Sequence, residues 1–221
     1  MVDIFDEVSE DLRHDQAVAL GKRYGSYLIG AMLAVLVGVG AQQYWEYHQA
    51  QQADAAATQY LALTQTVDAT GTSIDAPTAQ SAAQALASFA TTAPEGYKTL
   101  ADLRAAALYA GAGQPTQAEA LWDQTSADQA ADPLLRDLAT LLWAQHALGT
   151  VADQDVMTRL APLTQSTNPY HALALETQAY AALHAGDTAQ AKALLSQLNA
   201  DTNVPPGVRN RAQLMLAKLN G

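Results

Sequence analysis

Cysteine is missing altogether from the 221 residues. Disulfides, thiolate nucleophiles and cysteine-based metal sites are therefore excluded, and the absence suits an oxidising compartment. Aromatic residues make up only 6% of the chain and charged residues 15%. Long β-branched runs are lacking outside a single segment, so the composition points to an all-α protein packed through small side chains. Positive charge is scarce as well: eleven Lys and Arg stand against twenty-two Asp and Glu, a net charge of −11. Such a surface repels nucleic acid and anionic headgroups, and no basic patch with interleaved aromatics offsets it. Signatures of chemistry are missing too. The five histidines, His14, His48, His146, His171 and His184, have no metal-ligand spacing. There is no nucleophile elbow, phosphate loop or dinucleotide fingerprint. The sequence thus predicts no enzyme, no cofactor, no metal and no small-molecule substrate.

What is present begins with one uncharged run, "YGSYLIGAMLAVLVGVGAQQYW", from Tyr24 to Trp45. As a helix its 22 residues would be roughly 33 Å long, enough to cross a hydrocarbon core of about 30 Å. Leu28 to Ala41 holds only Leu, Ile, Val, Ala, Gly and Met. Lys22, Arg23, Tyr24 and Tyr27 flank one side and Tyr44, Trp45 and Tyr47 the other, as interfacial anchors do. A cleaved export signal is the rival reading, because Val39-Gly40-Ala41 resembles a cleavage site. The segment before the run opposes it: six carboxylates precede the run, whereas export signals begin short and basic. A buried core helix is a third reading, disfavoured by length. A span over 24–47 is expected, leaving an acidic tail over 1–23 and a domain over 48–221. Arg13, Lys22 and Arg23 precede it, while the next basic residue is Lys98. By the positive-inside rule the tail lies in the cytoplasm and the domain is translocated. Ser26, Gly30, Ala34 and Gly38 recur every four residues, a small-residue row that suits close helix packing in lipid. Ile4, Phe5, Val8 and Leu12 have the spacing of a short amphipathic helix in the tail.

Beyond the run, punctuation recurs. Pro133, Pro169 and Pro205 are 36 residues apart, and Gly113, Gly149 and Gly186 are 36 and 37 apart. Proline suits a helix start and glycine a helix end. A period in the mid-thirties with two helices is the mark of a helical-hairpin solenoid. Apolar stripes accompany the beat: Leu100, Leu103, Ala107 and Ala110; Leu134, Leu138, Leu141, Leu142 and Leu148; Leu194, Leu195 and Leu198. Val208, Ala212, Met215, Leu216 and Leu219 mark a final helix that would cap the array. Earlier, helices are expected over 42–69, continuous with the span, and over 78–92. "GQPTQAEALW" resembles the turn and second helix of a tetratricopeptide repeat, with Gly113 at the turn, Ala118 at the tight crossing and Trp122 at the large position. "GDTAQAKALL" matches with Gly186, Ala191 and Leu195. The copy at Gly149 departs, since Gln154 falls at the crossing position; either its loop has another length or the repeat is degenerate. Trp122 and Trp143 read as core residues, and Tyr170, beside a turn, is a candidate for a peptide groove.

The opening "DIFDEVSEDLR", the "KRYGSYLIGAMLAVLVGVGAQQYWEYHQAQQADAAATQYLAL" stretch and the repeats together resemble membrane-anchored TPR-like proteins related to the ancillary subunit of the bacterial Sec translocon. The resemblance implies a single-pass inner-membrane protein with a periplasmic TPR-like domain. It implies contact with the translocon channel and with a periplasmic chaperone, and a part in handing exported proteins onward. It carries over no catalytic residue. The residues themselves point to an all-α chain, a single N-terminal transmembrane helix followed by an α-solenoid of hairpins, acting as a protein-binding scaffold. The alternative is an accessory or assembly subunit of another inner-membrane complex.

Overall fold

A computed structural model describes residues 4–69 and 74–221, with side chains described from residue 30 onward except at 31, 34, 66, 68 and 69. Every regular element among the described residues is helical. The chain divides into two compact units, Met1–Asp54 and Ala55–Gly221.

The first unit is formed by the N-terminal part of α1 (Ile4–Ala69), which runs 66 residues as one helix. The expected continuity between the apolar run and the helix after it is therefore observed. From Met32 to Tyr47 each large apolar or aromatic side chain that is described is exposed, from 57% at Leu33 to 71% at Val37. Among the described residues no helix is long and apolar enough to cross a membrane. Much of the expected span lies outside those residues: the side chains of Lys22, Arg23, Tyr24, Ser26, Tyr27 and Ala34 are not among them. The described residues give the span no support of their own.

The second unit contains the C-terminal part of α1 and eight further helices. In order they are α2 (Ala76–Ala90), α3 (Glu95–Gly111), α4 (Pro115–Ala127), α5 (Pro133–Ala147), α6 (Asp153–Leu160), α7 (His171–His184), α8 (Thr188–Ala200) and α9 (Pro206–Asn220). A 3-10 turn, Ala161–Thr164, extends α6. The starts have local causes. Asp75, Asp132 and Asp187 accept backbone N–H groups of Thr78, Leu134 and Gln190 at 3.3, 2.8 and 2.9 Å, satisfying donors that a helix start leaves free. Pro115, Pro133 and Pro206 sit in first turns, where the missing N–H is harmless. Pro169 instead stands two residues ahead of α7, and Asn168 Oδ1 takes the N–H of Tyr170 at 2.8 Å.

Among the described residues, Gly113, Gly149 and Gly186 have positive φ, at 74°, 80° and 81°. After α3 and α7 the chain closes by long back-bonds, Gln114 N–H to Tyr109 O at 2.9 Å and Asp187 N–H to Ala182 O at 2.8 Å. Only a left-handed residue between them permits this closure, and glycine adopts it without a Cβ penalty. At Gly149 the bonds are short turns, from Thr150 and Val151 N–H to Ala147 O. The α5–α6 connection is correspondingly longer, 148–152 against 112–114 and 185–187.

That difference resolves the irregular repeat. With two extra loop residues, Val156 takes the crossing position held by Ala118 and Ala191, and Leu160 takes that of Trp122 and Leu195. All six side chains are buried to 1% exposure or less. Three residues on, Thr125, Leu163 and Leu198 are buried too. The repeat is intact and its loop is longer.

Helices α3, α5, α7 and α9 form one row and α2, α4, α6 and α8 another, each helix packing on its chain neighbours. Contacts also join α3 to α5, α5 to α7 and α7 to α9. No comparable contact joins the second row to itself among the described residues. At the start of the row, the ring of Tyr60 in α1 lies 6.1 Å from that of Tyr97 in α3. The first-row helices are thus the closer set, and are called the inner row below. One core centres on Trp122, Leu141, Val156 and Leu160, a second on Leu86 and Phe89, and a third on Leu195, Leu198 and Val208. Ala212 and Val208 bury α9 against α7 and α8, with Met215, Leu216 and Leu219 beside them.

Two expected stripes are off in detail. Leu100 and Leu134 are exposed, at 39% and 49%. The buried face of α3 runs instead through Thr99, Ala101, Asp102, Leu103, Ala105, Ala106 and Leu108. A first-row helix is covered by second-row helices on two sides, so its buried arc is wide and its exposed arc carries residues that a single stripe would assign to the core.

Candidate protein-binding surface

The exposed large apolar residues of the second unit are Leu61, Leu100, Leu134 and Leu214. Leu61 is on α1, Leu100 on α3, Leu134 on α5 and Leu214 on α9. Leu100, Leu134 and Leu214 belong to the inner row, Leu61 lies on α1, and none of α2, α4, α6 or α8 carries one. Scattered exposed leucines need no explanation, but confinement to one side of an array marks a surface for contact. Two concavities accompany them. One, of about 550 Å³, lies against Thr58, Leu61, Ala62, Thr64 and Gln65. The other, of about 240 Å³, lies between α7 and α9 against Tyr180, Arg211, Leu214, Met215 and Lys218. Both are open apolar grooves with polar edges, suited to side chains of a bound protein.

Polar links join helices within and between hairpins. Arg211 Nε and Nη2 donate to Glu176 Oε1 and Oε2 at 2.7 and 2.6 Å, across 35 residues of chain. His184 Nδ1 lies 2.9 and 3.0 Å from the two oxygens of Asp153, 31 residues away. Arg159 pairs with Asp123, donates through Nη2 to Ser126 Oγ at 2.9 Å, and stacks 3.9 Å over the Trp143 ring. Lys98 Nζ donates to Asp128 Oδ2 at 2.6 Å, with Glu95 and Asp102 each 3.7 Å away. The Asp128 bond is the first cause raising the Lys98 pKa, and it lowers that of Asp128. Asp102 is the reverse case: burial pushes its carboxyl pKa up despite the neighbouring Lys98. The Arg211–Glu176, His184–Asp153 and Arg159–Asp123 pairs are about one repeat apart in sequence, whereas Lys98 and Asp128 belong to one hairpin. Opposite charges at that separation were the signal that stripes and motifs alone did not bring out.

The expected residues fall into place as follows. Gly113, Gly149 and Gly186 form the hairpin turns. Ala118, Trp122 and Ala191 are fully buried at the crossings, and the Trp122 ring stacks 4.6 Å from that of His146. Trp143 is in the core at 8% exposure. Tyr170 is half-buried against the Trp122 core, and burial is the first cause raising its pKa. Tyr44, Trp45 and Tyr47 are exposed on α1; Tyr44 stacks on His48, and Tyr47 Oη accepts from Gln51 at 2.9 Å. Gly30 and Gly38 have open space where a Cβ would stand. Ser26, Ala34, Lys22, Arg23, Tyr24 and Tyr27 lie outside the described side chains. No group of three or more His, Asp or Glu is placed to hold a metal among the described residues.

A family profile described as a tetratricopeptide repeat-like domain matches residues 21–154. No curated protein and no solved structure matches the chain.

Proposed function

Since the chain belongs to the tetratricopeptide repeat-like domain family, we propose that it is a non-enzymatic protein-binding scaffold tethered to a bacterial inner membrane. The confinement of Leu100, Leu134 and Leu214 to the inner row, with none on α2, α4, α6 or α8, is the observation that carries the binding role. Helical-hairpin arrays bind proteins along that side because it is extended and continuous. The tether is the run from Tyr24 to Trp45. Its support is the 22-residue uncharged length and the residues at its two edges, Lys22, Arg23, Tyr24 and Tyr27 before it and Tyr44, Trp45 and Tyr47 after it. The basic residues before the run favour a cytoplasmic N-terminus and a periplasmic domain. The layout's resemblance to the ancillary translocon subunit favours a translocon-like membrane complex and a periplasmic chaperone as partners, with the Gly30 and Gly38 side of α1 as a packing face for another helix. The alternative, an accessory subunit of a respiratory or envelope complex, has the same anchor and array and differs only in partner.

Two measurements test this reading. In intact spheroplasts an added protease should digest the domain, and the native mass should show no cleavage after Ala41. A protected domain, or a mature chain starting at Gln42, would overturn the tether. Photo-crosslinkers at Leu100 and Leu134 in the full chain should capture translocon and chaperone subunits, and far more than crosslinkers at Gln117 and Gln197 of the outer row. Capture of a respiratory or envelope complex alone would select the alternative, and equal capture from both rows would reject the inner surface.

A further inference from the structure

From the groove between α7 and α9 we infer that the end of the array is a docking site for an acidic–apolar segment of a partner protein. The segment has large aliphatic side chains between two carboxylates. The inference rests on the scaffold reading and names the chemistry of one partner contact.

The groove is built along one face of α9. Arg211, Leu214, Met215 and Lys218 follow the spacing of a single helical face, and Tyr180 of α7 forms the opposite wall. Leu214 is the most exposed large apolar residue described, at 73%. Its neighbours bind α9 to the array through Val208 and Ala212, so Leu214 has no part in holding the cap. A large aliphatic side chain displayed between two cations is costly in water, and a segment presenting aliphatic side chains would cover it.

Charge selects the kind of segment. Residues 46–221 hold sixteen acidic and eight basic residues, yet α9 has Arg209, Arg211 and Lys218 and no acidic residue. Arg209 is spent internally, since its Nη2 donates to the carbonyls of Asp201, Thr202 and Val204. Arg211 and Lys218 remain at the two ends of the groove. Arg211 is paired, but the pair is lopsided: the Glu176 side chain is 7% exposed and that of Arg211 is 51%. An approaching molecule therefore meets the guanidinium and not the carboxylate behind it. Seven residues of helix separate the two cations, roughly 10 Å. Two carboxylates one heptad apart on one face of a helix match that distance. Complementary charge at the ends sets register, and the apolar centre supplies the burial.

The test uses the full chain in nanodiscs of zwitterionic lipid, with empty nanodiscs as the blank. The probe is a labelled synthetic helical peptide with two leucines between glutamates seven residues apart, followed by anisotropy. Saturable binding that weakens with added salt is expected. Leu214→Ser should weaken it by about tenfold or more, as removal of a central apolar contact does. Lys218→Glu should weaken the acidic peptide and strengthen a peptide with lysine at the matching position. Both positions are exposed, so unchanged thermal melts will show that the variants fold. Lack of saturable binding, binding indifferent to both substitutions, or failure of the charge swap would overturn the site. So would a Leu214-dependent dimer of the chain, which would assign the groove to a second copy. Crosslinks from Leu100 and Leu134 report on the scaffold separately: partners captured there without peptide binding at α9 would sink this site and leave the scaffold standing.

Discussion

Arg211 of α9 and Glu176 of α7 face each other through two parallel hydrogen bonds, 2.7 and 2.6 Å long, and join helices that are not consecutive in the chain. The pair is unequal in exposure, with the carboxylate enclosed and the guanidinium half in water. The two partners are therefore not interchangeable in what their removal does.

Arg211→Met would leave an enclosed carboxylate without its partner and should destabilise the domain by about 3 kcal/mol. Glu176→Gln would leave a solvated guanidinium and a side chain that still accepts a hydrogen bond, and should cost about 1 kcal/mol. The double variant should be more stable than Arg211→Met alone. Urea unfolding of the four proteins measures this, and equal losses from both single variants would contradict the asymmetry.

Trp122 fills the crossing of α4 with its neighbours and is fully buried, while its indole Nε1 has no hydrogen-bond partner. Trp122→Ala should lose about 3–5 kcal/mol through the cavity it opens. Trp122→Phe should lose far less than its lost volume suggests, because it also removes an unsatisfied buried donor. Thermal melts of both variants decide the matter; a Phe variant as unstable as the Ala variant would mean that the indole N–H is bonded after all.

Asp102 is 3% exposed and burial raises its pKa. A carboxylate with a raised folded-state pKa binds its proton more readily when folded. Its contribution to stability therefore falls as pH rises from the unfolded value of about 3.9 through the folded one. Asp102→Asn should thus melt higher than the parent at pH 7, and the gap should close as the pH approaches the unfolded value. A variant less stable than the parent at pH 7 would show that the Lys98 interaction outweighs the burial.

Gly113 and Gly186 hold φ of 74° and 81°. Alanine at either position should cost about 1–2 kcal/mol, the penalty of a Cβ in the left-handed region, and asparagine less. Neither Cβ would meet another atom within 4 Å, so the loss isolates backbone strain. Urea midpoints that rank Gly above Asn above Ala would confirm this origin.

Much of the fold was legible in residue order. Prolines and glycines one repeat apart carried the hairpin count, because their effects are local: one favours a helix start, the other a left-handed end. Gly149 shows where locality stops. Its positive φ agrees with its residue type, but the five-residue connection that contains it moves the crossing from Gln154 to Val156. A motif of fixed spacing cannot follow a change in loop length, whereas packing can. The exposed leucines of the inner row were not legible at all. Leu100 and Leu134 fit apolar stripes and were assigned inward, because a stripe shows that a helix has an apolar face but not how many neighbours cover it.

By itself the sequence determined the helical class, the two-helix period, the turn positions and the buried identity of Ala118, Trp122 and Ala191, since each follows from short-range preference or from a side chain's volume and polarity. Tertiary structure alone decided which row of helices lies inside, which leucines remain outside, and that Arg211 meets Glu176 and Arg159 meets Asp123 and Trp143. Those outcomes depend on distances between residues on different helices, thirty-five positions apart for Arg211 and Glu176, and such distances are set only when the hairpins stack.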